Sequence, residues 1–337
     1  MASEAPPFWW ERPDWRARAL WPLSAVYGLV ASRRMSSARR ERTGLPVLCI
    51  GNPTVGGSGK TPLAIALARA AKELGLTPGF LSRGHGGTLS RPHLVDLAHD
   101  SARSTGDEPL LLAVHAPTVV TPDRAAGARL LAGEGCDFLI MDDGFQSARI
   151  HFDYGLLVID ARRGLGNGHV LPGGPLRAPV VDQLRFADAV VRMGKGDGAD
   201  EFIRAAARAA RPIFDAFTVT RPGSGVEGRR LVAFAGIGDP SKFYATVAGA
   251  GADLAGTRSF ADHHTYTDED LSALLDLADA AQADLVTTEK DAVRIRQTSE
   301  IGQRLLARLS IVRIDVQFEL PENAGRIVQA TLDAFNR

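Results

Sequence analysis

The run Gly51-Asn52-Pro53-Thr54-Val55-Gly56-Gly57-Ser58-Gly59-Lys60-Thr61-Pro62 has the composition of a phosphate cradle. Small residues let several backbone N–H groups converge on an anion at a helix N-terminus, while a lysine adds a point charge and a threonine hydroxyl a magnesium ligand. Thr54, Val55, Gly56, Gly57, Ser58, Gly59, Lys60 and Thr61 are therefore the expected contacts of a nucleotide, with Thr61 turned to the metal. The spelling is irregular. The usual G-x-x-x-x-G-K-[ST] pattern has glycine where this chain has Thr54, and the surplus glycines stand at 56 and 57. A glycine-rich turn that only tightens a strand–helix junction would share part of this composition.

Further polar residues close apolar runs. Asp142-Asp143 follows Phe138-Leu139-Ile140-Met141, where a P-loop enzyme places an acid that holds magnesium; the alternative is a turn or helix-capping pair before Gly144. Asp107, in Gly106-Asp107-Glu108-Pro109, either caps the helix that follows or accepts a proton from a hydroxyl under attack, and Glu108 competes for both roles. Asp262-His263-His264 lacks the further Cys or His of a structural zinc set, which leaves tuning of a base or substrate binding. Thr287-Thr288-Glu289-Lys290-Asp291 ends another apolar run and also reads as a capping box. Among the basic residues Arg83, Arg124, Arg149, Arg162, Arg163 and Arg177, most are expected on solvated surface. Arg83, beside glycines, is best suited to meet a phosphate.

The elements that must position these groups alternate. Val47–Ile50 reads as a strand and 61–74 as a helix; strands follow at 78–81, 118–120, 138–141, 155–160 and 187–192, with helices at 107–115 and 123–134. This is an α/β pattern with a mostly parallel sheet and helices on both faces, whose ligands sit beyond the carboxyl ends of the strands. The Gly- and Pro-rich stretch 162–177 is a long loop, a length at which loops are mobile or functional. Gly194–Asp200 reads as a boundary. We therefore expect a core over 46–200 and a smaller α/β domain over 201–337, with strands near Phe217, at 231–236, 284–288 and 312–316.

Composition narrows the class. The 337 residues are 45% hydrophobic, with 39 basic and 39 acidic side chains, so nothing suggests nucleic acid as a partner. The two cysteines, Cys49 and Cys136, sit in apolar surroundings that suit reduced core thiols. Residues 1–45 differ from the rest: Phe8, Trp9, Trp10, Trp15 and Trp21 crowd together, and the uncharged run 19–31 is bracketed by arginines. That run is shorter than the about 20 residues of a spanning helix but suits an amphipathic segment on an anionic membrane surface. The alternative is a helix whose aromatics pack on the domain. No cleavable secretory signal is expected, because the apolar run starts late and leads into basic residues.

Taken in order, these blocks resemble the tetraacyldisaccharide 4'-kinase family of lipid A biosynthesis. Trp9-Trp10, the 51–62 loop, Ser82-Arg83-Gly84, Gly106-Asp107-Glu108-Pro109 and Asp142-Asp143-Gly144-Phe145-Gln146 carry the likeness. So do Gly166-Asn167-Gly168, Leu171 to Arg177, Phe234-Ala235-Gly236-Ile237-Gly238, Asp262-His263-His264 and Thr287 to Asp291. The resemblance implies a P-loop kinase that moves the γ-phosphoryl group of ATP, with Mg²⁺, to the 4'-hydroxyl of an acylated disaccharide 1-phosphate at the cytoplasmic face of the bacterial inner membrane. It implies peripheral attachment through the N-terminal segment and no obligate protein partner. By position it makes Lys60 a phosphate residue, Asp107 the base, His263 its partner in a dyad, and Asp142 and Asp143 magnesium residues. Arg83, Asn167 and Arg177 become the expected substrate contacts. The chain departs from the family pattern at His85 and Ser147. No Asn-Lys-x-Asp base-reading motif of a GTPase is present.

Overall fold

The computed structural model describes residues 5–37, 40–84, 86–146, 150–221, 225–295 and 299–337; His85, Ser147 and Arg149 lie outside them. Strands run in chain order as β1 Val47–Gly51, β2 Pro78–Ser82, β3 His93–Leu94, β4 Thr118–Val120, β5 Phe138–Asp142, β6 Tyr154–Asp160 and β7 Ala189–Met193. They continue as β8 Ile213–Thr220, β9 Arg230–Ala235, β10 Asp253–Ser259, β11 Asp284–Thr288, β12 Leu309–Val312 and β13 Ile314–Phe318.

A nine-stranded sheet has the order β13-β8-β7-β6-β1-β5-β2-β4-β3. Its interior pairs are parallel, and only β3 and β13, at the two edges, run antiparallel to their neighbours. Successive residues of β1 face opposite ways, which is how one strand feeds two cores: Val47 and Cys49 join the cluster with Met141, Phe145 and Leu157, while Leu48 and Ile50 join the one with Leu63, Phe80 and Ile140. Both cysteines are free and buried, as their surroundings implied.

A second sheet, β10-β9-β11-β12, is parallel throughout and has its own cores around Phe234, Leu274 and Leu285 on one side and Phe243 and Val247 on the other. Sheet membership does not follow a division at residue 200. β8 pairs with β7 in the large sheet, and β13 returns antiparallel to β8, so the small lobe is an excursion between them. The stretch 312–316, expected as one strand, is two: β12 ends the small sheet at Val312 and β13 rejoins the large one at Ile314. The closing helix Asn323–Phe335 then packs on Lys60–Glu73 of the large lobe.

The N-terminal segment forms helices Trp15–Ala19 and Trp21–Ser37. The second is turned contrary to a core helix: Ser24, Gly28 and Met35 are buried, whereas Trp21, Leu23, Val26, Leu29 and Val30 are each at least 60% exposed. Small residues on the inner face permit close approach. Gly28 lies against Pro179, and the Ser24 hydroxyl accepts a hydrogen bond from Gly173 N at 3.0 Å. Among the described residues no helix is long and apolar enough to cross a membrane.

Candidate active site

The phosphate loop connects β1 to the helix Lys60–Glu73, whose first residue is the lysine itself. Its left-handed positions are Gly56 (φ 99°) and Gly59 (φ 83°). Thr54 does not need that freedom. It is buried and bridges to Leu176, so the backbone turns two residues later than in the usual pattern and glycine is required there instead. Lys60 Nζ donates to Asn52 Oδ1 at 3.0 Å and lies 3.7 Å from Asp143 Oδ1.

The loop 162–177 braces this cradle. Val55 N donates to Pro175 O and Arg177 N to Pro53 O, both at 2.9 Å, and Arg177 Nη1 reaches Asp143 Oδ1 at 2.8 Å. Arg177 therefore stands at the phosphate loop. Asn167 does not: its Nδ2 donates to Gly173 O (2.9 Å) and Phe8 O (3.3 Å), and its Oδ1 accepts from His169 N (3.1 Å). It is buried as a clamp between the loop and the N-terminal segment. Arg83 follows β2 with its side chain exposed. Of the remaining arginines, Arg163 covers the Trp10 ring, whereas Arg124 is buried, and burial lowers its guanidinium to about 10.

Asp142 ends β5 and is 2% exposed, with Oδ1 unbonded among the described residues; burial first, and Glu108 next, push its carboxyl up to about 7 against the pull of Lys60. Asp143 takes a left-handed backbone (φ 52°) at the turn that follows, and Lys60 and Arg177 overcome burial to hold it below the usual carboxylate range. A buried unpaired carboxylate oxygen is costly unless a cation meets it. Carboxylate oxygens are hard donors of the kind Mg²⁺ takes alongside substrate phosphates. The Ser58 hydroxyl is likewise buried without a partner in the cradle.

Asp107 is the first residue of the helix Asp107–Ala113, and Gly106, not Asp107, occupies the capping position. Its side chain is 5% exposed and its Oδ2 lies 3.2 Å from His263 Nδ1, across the gap between the two lobes. Arg294 bonds the same oxygen through Nε at 3.1 Å and also through Nη2. Burial pushes Asp107 up, but the His263 hydrogen bond and the charges of Arg294 and Lys290 outweigh it and hold the group far below the usual carboxylate range. The same hydrogen bond raises His263 above the ordinary imidazole value, against partial burial. His263 sits at φ 58° and donates its N–H to Gly236 O. That turn parts the two histidines: His264 pairs with Asp270 at 3.0 Å and stacks on Phe260.

Lys290 bonds Glu108 at 2.7 Å, so Glu108 is engaged elsewhere and does not share the His263 contact. Asp291 N donates to Thr288 Oγ1 as the capping reading expected, but the Asp291 carboxylate has other partners: Gly236 N, Tyr266 Oη and Arg294. Arg294 escaped the sequence reading. The available signal was its place three residues after Asp291, on the same face of a helical turn.

The profile of the tetraacyldisaccharide-1-P 4'-kinase family matches residues 16–333. The chain belongs to that family. Curated members resemble it end to end: a tetraacyldisaccharide 4'-kinase of Mesorhizobium japonicum is 58% identical, covering 100% of this chain and 98% of the relative. One of Brucella melitensis biotype 2 is 52% identical over 99% and 98%. Among solved structures, the "apo" form of LpxK from Aquifex aeolicus in complex with ATP superposes with a TM-score of 0.72 at 24% identity, covering 94% of this chain and 99% of that one. The likeness extends over both sheets and supports the α/β, P-loop NTPase-like architecture.

Proposed function

We propose that Asp107 and His263 form the proton-accepting pair in phosphoryl transfer from ATP to the 4'-hydroxyl of tetraacyldisaccharide 1-phosphate. The activity is that of the family: ATP-dependent 4'-phosphorylation of the acylated disaccharide. The residue assignment rests on one observation above the others, the 3.2 Å approach of His263 Nδ1 to Asp107 Oδ2 between the lobes.

In the transfer, the 4'-oxygen attacks the γ-phosphorus as the bond to the β,γ-bridging oxygen breaks, and ADP leaves with the bonding pair. The hydroxyl proton must go somewhere. A carboxylate held as low as Asp107 is a weak base alone, but it can orient the hydroxyl and pass the proton to a neutral imidazole beside it. Lys60 and the loop N–H groups orient the phosphates, and Arg177 holds Asp143 and the loop backbone in register. Thr61, Asp142 and Asp143 would hold Mg²⁺, which would neutralise charge on the phosphate oxygens. Arg83, exposed beyond β2, remains a proposed acceptor contact. Asn167 contributes at one remove, through the loop it clamps.

The exposed apolar face of Trp21–Ser37 supports attachment to the cytoplasmic surface of the inner membrane, where ATP and an acceptor with four acyl chains meet. The test is incubation with ATP, Mg²⁺ and detergent-dispersed acceptor, followed by mass spectrometry. The expected product is heavier by one phosphoryl group; its absence with folded protein rejects the assignment.

A further inference from the structure

Arg294 is buried, 4% exposed, and both edges of its guanidinium are used. One edge stays in its own lobe: Nη1 donates to Gly236 O at 2.7 Å and to Asp291 Oδ1 at 2.9 Å. Asp291 is fixed in turn, since its Oδ1 also accepts from Gly236 N (3.0 Å) and Tyr266 Oη (2.9 Å) and its Oδ2 from Thr288 Oγ1 (2.7 Å). The other edge, Nε and Nη2, crosses to Asp107 Oδ2. That is the oxygen His263 approaches, whereas among the described residues Oδ1 is bonded only to the N–H of Glu108 on its own helix. A rigid planar fork converging on one oxygen pins that oxygen as a flexible lysine does not, and the bond from Glu108 N holds the other end of the carboxylate.

We propose that Arg294 positions the base: from the small lobe it pins Asp107 Oδ2 beside His263 Nδ1 and leaves Oδ1 to meet the acceptor hydroxyl, so that the base is aimed only while the lobes touch. This rests on the assignment of Asp107 as the base.

The charged groups around the pair define what its removal does. Asp107 faces His263, Arg294 and Lys290 from the small lobe and Glu108 on its own helix; His263 also faces Asp262, 3.9 Å from its Nε2. Arg294 Nη2 stands 3.5 Å from His263 Nδ1, where its charge opposes protonation of the imidazole. Without that cation the imidazole keeps its proton to higher pH, and the pair accepts a new one only above that point.

The experiment compares pH profiles of kcat and kcat/KM for the full-length protein, Arg294→Gln, Arg294→Lys and Asp291→Asn. Among the described residues Asp291 hydrogen-bonds Gly236, Tyr266, Thr288 and Arg294, not Asp107 or His263. Arg294→Gln is expected to lower kcat at neutral pH by about tenfold or more and to move the ascending limb up by about one pH unit, with the KM for ATP little changed. Arg294→Lys keeps the charge but loses the fork, so its limb should stay near that of the parent while kcat falls by less than in Arg294→Gln; Asp291→Asn leaves the Arg294 charge less compensated and should move the limb down. An unmoved limb in folded Arg294→Gln, or a loss expressed only in KM, makes Arg294 a packing contact and overturns the inference. If Arg294→Gln does not fold, a wild-type kcat in Arg294→Lys together with an unmoved limb in Asp291→Asn overturns it. Wild-type turnover by Asp107→Asn would instead remove the base assignment itself, which separates the two failures.

Discussion

At the site, two carboxylates carry opposite perturbations for the same stated reasons. Asp107 is surrounded by three cationic partners and is held low; Asp142 is buried beside other acids with an unbonded oxygen and is pushed up. The first suits a group that must stay ionised next to a hydroxyl, the second a group that ionises fully once a cation arrives. Asp107→Asn keeps the shape and removes the charge, so kcat should fall by about 10²-fold or more while ATP binding, followed by a fluorescent analogue, stays near normal. Turnover within a few-fold of the parent would reassign Asp107 to lobe contact. The sign of the pH dependence follows from His263. The pair has room for a proton only when the imidazole is neutral, and Asp107 raises the imidazole, so activity should climb as pH rises through a value above about 6.5. His263→Ala should abolish that limb.

The strands, turns and loops divide between what residue pattern reveals and what only contacts can. β4 and β11 fall where apolar runs place them, and Asp123 and Thr267 cap the helices that follow them, because these features are written in neighbouring residues. The sheet to which β8 and β13 belong is decided by pairing across roughly a hundred residues, and nothing local records it. β10, with its exposed polar face, lacks a strong apolar period and has no local signal. The site was legible where a motif spells it, as at Asp107 and Lys60, and illegible at Arg294, an arginine like any other until it folds against Asp107. Asn167 shows the converse, since its motif suggested a ligand and its bonds describe a brace. Removing it by Asn167→Ala should destabilise the fold by about 2 kcal/mol and, through Val55 and Arg177, raise the KM for ATP more than that for the acceptor. A rise confined to the acceptor would restore it as a substrate contact. Gly174→Ala tests the same brace, because its Cβ would fall 2.0 Å from Asn167 Oδ1.

On the proposed reading, the two lobes and the N-terminal helices together bring a soluble nucleotide and an acylated acceptor to one place. The helix Trp21–Ser37 meets the body with Ser24 and Gly28 and directs its large apolar side chains away, an arrangement that wastes hydrophobic area unless something apolar covers it. On the proposed reading a bilayer surface is that cover and also holds the acceptor, and Arg16, Arg18, Arg33 and Arg34, near the apolar face in sequence, would each add about 1 kcal/mol near anionic lipid. Val26→Glu with Leu29→Glu changes only exposed positions, so thermal stability should stay near that of the parent. Affinity for phosphatidylglycerol-containing vesicles in a sedimentation assay should nevertheless drop by about tenfold or more, since each side chain forfeits burial worth about 1.5–3 kcal/mol when fully inserted. The rate on acceptor presented in vesicles should fall with it, while the rate on detergent-dispersed acceptor should change little, because the Asp107–His263 pair does not include this helix. Unchanged vesicle binding by the folded double variant would dissociate the apolar face from the membrane.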